Sequence, residues 1–442
     1  MASTKKKVIP ANSYISNIAY PFKNSWDKNA NYVEFEIHGI NVSLINSIRR
    51  CIIGSVKTVG FRSEPYEKST INIIENDSPL HNQFLGHRIS MIPINISNVD
   101  GFNVDDYEFS IDMVNNTNFP QDITSEHIKI RRISTDSILS DAETRRIFPA
   151  DPITKSHILL TRLKPKYYMY GKVINPDILG EYKASDSAES TAEDVKLTVR
   201  AKACISNGLE NGHFNPTSCA CHTYKIDPER AKIAERAYIL SEQEKAVQKG
   251  LTPYSEEVLV KRFATTFAER QYYQDDRGNP TQFNFKIESI GVIPPLVVFH
   301  RAMGILKSKI HDFSSALVRN DSSNIKVEPS KEMANGFRLL VSGEDDTIGN
   351  VLQTYMTDKY ADMGLPDEER LLNYVGYVRP HPLEMKLALT LQAKDSEMSW
   401  TEIMEKIITP TCSGIIKVIN KMTDELETTS AYNNELKAIN SL

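Results

Sequence analysis

Cysteine is scarce in this chain of 442 residues: Cys51, Cys204, Cys219, Cys221 and Cys412 are the five present, and they are widely scattered. That usage excludes a disulfide scaffold and suits a reducing, intracellular compartment. Long apolar runs are also missing. The longest, GVIPPLVVF at 291–299, falls far short of the roughly 18 residues that span a bilayer as a helix. The opening MASTKKKVIP carries Lys5, Lys6 and Lys7 but no apolar stretch of the kind a secretory signal needs, so secretion is not expected and the lysines read as a solvated terminus. A basic surplus is absent too, since the net charge is −5. A protein that holds DNA by itself neutralises phosphates with a concentrated basic face, so any contact with nucleic acid is expected to be indirect.

Catalytic signatures are equally thin. The chain contains no GxxxxGK phosphate loop, no GxGxxG and no HExxH. Magnesium-assisted in-line displacement needs carboxylates that converge on the metal. Here Asp105–Asp106, Asp275–Asp276 and Asp345–Asp346 are adjacent rather than alternating, and the last pair stands just ahead of a helix, as capping carboxylates do. One metal candidate exists, CACH at 219–222 with His213 nearby. Zinc asks for four convergent ligands, whereas on a strand Cys219 and Cys221 share a face and His222 points away. These cysteines therefore read as buried and structural, and no cofactor is expected.

What the chain does have is a pattern that occurs twice. Residues 32–39, YVEFEIHG, alternate Val33, Phe35 and Ile37 with Glu34, Glu36 and His38, the period of a strand with one buried face. Gly39 ends it, and Asn41 or Ser43 offers an oxygen to cap a following helix. In that helix Leu44, Ile45, Ile48, Ile52 and Val56 form one apolar stripe. GFRLLVSGEDDTIGNVLQTYM, 336–356, repeats the unit without a gap. Phe337, Leu339 and Val341 fall on Val33, Phe35 and Ile37, and Gly343 falls on Gly39. Thr347 falls on Ser43, Ile348 on Leu44, Leu352 on Ile48 and Met356 on Ile52. Each copy has a second part, FLGHRISMIPI (84–94) and YVGYVRPHPLEMKLALTLQ (374–392), and each closes on a helix. In the first, Phe299, Met303, Leu306, Ile310, Phe313 and Leu317 step by four and three, the spacing of a packing seam. In the second, Ile415, Ile419, Met422 and Leu426 do the same behind Pro410, which suits a first helical turn. A seam needs a partner, and each copy supplies one.

These segments together resemble the alpha-subunit family of multisubunit DNA-directed RNA polymerases. LINSIRRCIIGSVKTVGF, FLGHRISMIPI, VKLTVRAKACISNGLENGHFNP and FNFKIESIGVIPP follow in the order of the third-largest subunit of the eukaryotic and archaeal enzymes. GEDDTIGNVLQTYM with VGYVRPHPLEMKLALTLQ is similar to that subunit's small partner. The resemblance implies an α+β pseudo-heterodimer in one chain, fused as in large DNA viruses. Its first dimerisation domain would take 1–95 and 193–320, with an inserted domain at 96–192, a linker at 321–335 and a second dimerisation domain at 336–442. Residues 227–280 read as a surface excursion. Many relatives hold a zinc or iron–sulfur cluster in the inserted domain, but 96–192 contains no cysteine.

The function implied is a non-catalytic assembly platform, with the two largest polymerase subunits and small anchor subunits as partners. Leu44, Ile48, Ile52, Phe299, Met303, Leu306, Ile310, Phe313, Ile348, Leu352, Met356, Ile415, Ile419 and Met422 are the expected internal dimerisation residues. Arg49 and Arg50 interrupt the apolar helix of the first copy, where the second has Gln353 and Thr354, so the helix itself does not require arginine. The two are expected to emerge toward solvent or another subunit, and the resemblance implies that they dock the second-largest subunit. Arginine suits that role because its planar fork pairs bidentately with carboxylates. His87 and Arg88 are assigned to the same face, and Arg379, His381 and Glu384 are the second copy's counterpart. The alternatives are a stand-alone scaffold or regulator with this fold, and a zinc-dependent hydrolase using His213, Cys219, Cys221 and His222.

Overall fold

In the computed structural model the strand Tyr32–His38 buries Val33, Phe35 and Ile37 and turns its charged residues outward, as its alternation dictates. It lies inside a four-stranded antiparallel sheet whose order is Ile15–Ala19, Tyr32–His38, Gln282–Ser289, Thr217–Tyr224. Register sets Phe285 opposite Phe35 and Ile287 opposite Val33. The rings of Phe35, Phe285 and Phe299 meet at 4.9–5.6 Å. The residues described are 13–23, 30–117, 119–165, 194–250, 252, 254–319, 323–331 and 333–439. The Lys5–Lys7 cluster and 166–192 of the expected insertion lie outside them.

Gly39 turns the chain at φ +67, a conformation that favours glycine because it lacks a Cβ. Asn41 then caps helix α1, Val42–Gly54, its side chain accepting from Ser43 N–H. The second copy repeats each step. Strand Gly336–Ser342 ends at Gly343, φ +79. Asp345 caps helix α3, Asp346–Met356, by accepting from Thr347 N–H. Its sheet runs Ile325–Pro329, Gly336–Ser342, Lys386–Ala393, Leu372–Val378, the same order as the first. At Gly349 an added Cβ would stand 2.7 Å from both Leu387 and Tyr377, so α3 sits too close to its sheet for a larger residue.

Two long helices complete the modules, α2 at Pro295–Val318 and α4 at Thr409–Thr428. Helix α1 packs on α2 and α3, and α4 packs on α2 and α3. All fourteen residues expected to form the dimerisation seams are buried. Full burial of such side chains contributes about 1.5–3 kcal/mol each before chain entropy is subtracted.

The chain divides into two compact units. The first gathers the described residues of Met1–Ser55, Thr217–Ser289 and Pro295–Lys437. The second gathers the described residues of Val56–Pro216, Ile290–Pro294 and Ala438–Leu442. The second unit is therefore wider than the expected 96–192. Its five-stranded sheet is ordered Ile71–Asn76, Val195–Lys202, Tyr107–Asn115, Lys129–Arg132, Ser137–Ile138, so VKLTVRAKA is a central strand of this unit rather than the resumption of the first copy. FLGHRISMIPI also belongs here, largely as the helix Asn82–Ser90, so it is not the structural counterpart of the hairpin at 372–393. Phe61, Phe109, Ile111, Leu197 and Val199 share one core.

One further expectation is corrected. The stretch read as linker contains Ile325–Pro329, which pairs with Gly336–Ser342 as an edge strand. The 227–280 excursion holds two helices, Pro228–Gln248 and Glu256–Thr266, and the first buries only Ile239, as a surface excursion would.

Candidate docking surface

The stripe on α1 fixes where its arginines sit. With Leu44, Ile48, Cys51 and Ile52 buried, Arg49 and Arg50 are half-buried at its margin. Arg49 donates from Nε to Asn46 Oδ1, one turn earlier, at 3.0 Å. Its charge also reaches His222, whose pKa is lowered by burial first and by Arg49 second.

Arg50 turns out otherwise than expected. It crosses to the N-terminus of α3, donating from Nη2 to Asp345 Oδ2 at 2.9 Å and from Nε to Thr347 Oγ1 at 3.0 Å. Asp346 lies 3.9 Å from the same guanidinium. Ser47, one turn earlier on that side, donates to the Thr347 carbonyl at 2.7 Å. The reason is geometric: α1 packs on α3, and the two carboxylates that begin α3 face the arginine. Burial raises the Asp345 pKa, but hydrogen bonds from the Thr347 hydroxyl and N–H and the charge of Arg50 outweigh it, so the net shift is downward. A carboxylate that also caps a helix is further favoured by the helix dipole.

The equivalent positions on α3 face their own module. Gln353 accepts from Tyr377 N–H at 3.1 Å, and the Thr354 hydroxyl donates to the Asn350 carbonyl at 2.8 Å. Arg379 lies 3.7 Å from Asp346 and donates to the Pro382 carbonyl at 2.8 Å, while its buried Nε has no partner among the described residues. Arg50 and Arg379 are thus brought together on one carboxylate, which sequence reasoning had not linked.

His381 and Glu384 lie between strands Leu372–Val378 and Lys386–Ala393. His381 Nδ1 accepts from Leu383 N–H at 3.2 Å. Glu384 pairs with Lys386 at 2.7 Å, which holds its pKa down. Sequence reasoning passed over the apolar residues of this loop: Leu383 is 89% exposed, and Val378 and Met385 are also exposed. The signal available was Leu383 itself, an apolar residue in the proline-bounded polar run RPHPLEM.

His87 and Arg88 are in the second unit. Arg88 donates to the carbonyls of Leu159 and Leu160 at 2.7 and 2.8 Å, a bond that ties its helix to the neighbouring strand. His87 is exposed.

The four candidate metal ligands do not converge. Cys219 and Cys221 are 3.7 Å apart, but His222 stacks on Phe285, and His213 belongs to the second unit, beside Phe214. Among the described residues no three His, Cys, Asp or Glu side chains gather to hold a metal.

A family model described as the RNA polymerase Rpb3/Rpb11 dimerisation domain matches residues 34–310, more than half of the chain, and ends ahead of the second module. The chain is 23% identical over 319 residues to a conjugation stage-specific protein of Tetrahymena thermophila, covering 66% of this chain and 93% of that one. It is 23% identical over 304 residues to DNA-directed RNA polymerase subunit Rpo3 of Methanobrevibacter smithii, covering 64% and 92%. Over 91 residues it is 29% identical to subunit Rpo3 of Pyrococcus furiosus, covering 20% and 32%.

Proposed function

Because the chain belongs to the family of the RNA polymerase Rpb3/Rpb11 dimerisation domain, we propose that it is the assembly-platform subunit of a DNA-directed RNA polymerase, without catalytic activity of its own. In this reading its two modules act as a fused pair, the first in the place of the third-largest subunit and the second in that of its small partner. The observation that carries the proposal is the mutual packing of α1 and α4 on α2 and α3, which joins two modules of identical strand order. Fusion makes that pairing intramolecular, with an effective concentration of order millimolar for a short flexible connection.

The two largest subunits are the proposed partners, with small anchor subunits beside them. Of the basic residues considered, Arg50, Arg88 and Arg379 are committed to internal bonds, whereas Arg49 is held only by Asn46 of its own helix. In this reading docking falls to Arg49, to His87, and to His381 and Glu384 with Leu383 at the surface of their loop. In this reading the single-chain fusion favours a viral source, and a viral chain would act in the host cytoplasm.

A gentle purification through a tag on this chain tests the reading. Two very large subunits carrying the polymerase activity are expected to co-purify. Recovery of the chain alone, from cells in which a polymerase is assembled, would favour a stand-alone scaffold. Arg49→Glu is expected to lower recovery of the large subunits at least tenfold without changing the melting temperature; unchanged recovery removes Arg49 from the docking site.

A further inference from the structure

Cys219 and Cys221 occupy alternate positions of the edge strand Thr217–Tyr224, so both side chains stand on the face of the first sheet opposite its buried phenylalanines. Both are partly exposed, whereas Cys51 and Cys412 are buried. Their sulfurs are 3.7 Å apart. Two bonds of ~2.3 Å from one soft centre, at an angle between a right angle and tetrahedral, hold their sulfurs ~3.3–3.8 Å apart. The pair therefore already has the bite of a dithiol chelate.

The same geometry disfavours the two other fates of neighbouring thiols. Same-face residues two apart on a strand have Cα atoms ~6.4–6.8 Å apart and parallel side chains that keep the Cβ atoms about as far apart, whereas a disulfide brings its Cβ atoms to ~3.5–4.5 Å. The register shifts between Thr217 and Cys219 but is regular from Cys219, opposite Glu288, to Cys221, opposite Lys286, so closure would disturb a paired stretch of the ladder. Zinc needs four ligands, and no third joins these two among the described residues.

We propose that Cys219 and Cys221 form a two-thiol capture site for a soft thiophilic centre that requires two sulfurs from the protein and no third ligand. Trivalent arsenic carrying one organic group meets that demand. Its oxide condenses with two thiols to form two As–S bonds, both thiol protons and the oxide oxygen leaving as one water, with no change of oxidation state. The site does not depend on the polymerase reading.

The test uses the folded full-length chain and phenylarsine oxide. One phenylarsenic adduct per chain is expected by native mass spectrometry. Cys219→Ser and Cys221→Ser should each weaken binding at least a hundredfold, because one sulfur removes the chelate, and Cys204→Ser should leave it intact. Cys219→Ala provides a second variant, and thermal melts of all four confirm folding. Absence of an adduct on the native chain, or an adduct that survives either single substitution, overturns the assignment.

Discussion

The two modules differ where the fold permits difference. Each has strand order edge, centre, centre, edge, a left-handed glycine after its second strand, and an Asn or Asp cap accepting from the second N–H beyond it. Between α1 and the strand Thr217–Tyr224, however, the first module admits Val56–Pro216. The second spans the corresponding gap, from α3 to the strand Leu372–Val378, with residues 357–371. The helix surfaces differ too, Arg49 and Arg50 standing where α3 has Gln353 and Thr354. Stripe, turn and cap are what the module needs. The arginine that crosses to Asp345 makes the pairing one-sided: Thr354, in the equivalent place, bonds within its own helix.

The comparison breaks most severely if its shared helix layer is charged. Ile310 on α2 is fully buried. Ile310→Asp places a carboxylate there without a partner and is expected to cost more than 4 kcal/mol, unfolding the first unit in a thermal melt. Ile310→Ala should cost about 2–5 kcal/mol, and Leu352→Ala on α3 a similar amount. An unaltered melting temperature for Ile310→Asp would mean the layer is misassigned.

A second difference lies at the start of the long helices. The N-terminus of α2 is held by Glu435 from the closing helix Ser430–Lys437. Its Oε2 accepts from Leu296 N–H at 2.7 Å and Val297 N–H at 3.3 Å, and Oε1 accepts from the Tyr20 hydroxyl at 2.7 Å. The first turn of α4 instead continues from the preceding turn of helix. Burial outweighs the three donors and raises the Glu435 pKa from 4.5 to about 7. A raised folded-state pKa favours the protonated acid, so this contribution is whole below pH 4.5 and is lost as pH rises through 7. The shift corresponds to roughly 3 kcal/mol. Urea midpoints measured from pH 4 to 8 should fall across that window in the native chain and stay flatter in Glu435→Gln. Parallel curves would remove Glu435 as the group responsible.

The repeated unit was legible because its determinants are local. Alternation at Val33, Phe35 and Ile37, the Gly39 turn, the Asn41 cap and the four-and-three stepping of α2 each depend on a few neighbouring residues. The second unit's extent was not, since strand Val195–Lys202 pairs with Ile71–Asn76 and Tyr107–Asn115, partners set by tertiary register that periodicity does not encode. Ile325–Pro329 was hidden for a related reason: an edge strand paired on one side only buries little and reads as polar linker. Arg50 failed differently. Its position on the helix was read correctly, but nothing in α1 announces that Asp345 will be opposite.

The two turn glycines sharpen the equivalence. A Cβ at Gly343 would meet nothing within 4 Å, and at Gly39 only Tyr14 Cε1 at 4.0 Å. Alanine at either site therefore costs backbone strain alone, about 1–2 kcal/mol. Gly39→Ala and Gly343→Ala should lower stability by matching amounts in chemical denaturation. A gap larger than the strain itself would show that the turns do unequal structural work.

The smallest effect concerns the bond that makes the modules unequal. Arg50 and Asp345 side chains are 35% and 11% exposed, so solvent screens the pair and a coupling of about 1 kcal/mol is expected. Asp345→Ala alone would overstate it, because the same carboxylate caps α3 and loss of a cap costs about 1 kcal/mol by itself. A double-mutant cycle of Arg50→Ala and Asp345→Ala separates the two, since the cap term appears on both sides of the cycle and cancels. The remaining coupling should shrink in high salt. A coupling indistinguishable from zero at low salt would leave Arg50 without an energetic role between the modules and return it to the proposed docking surface beside Arg49.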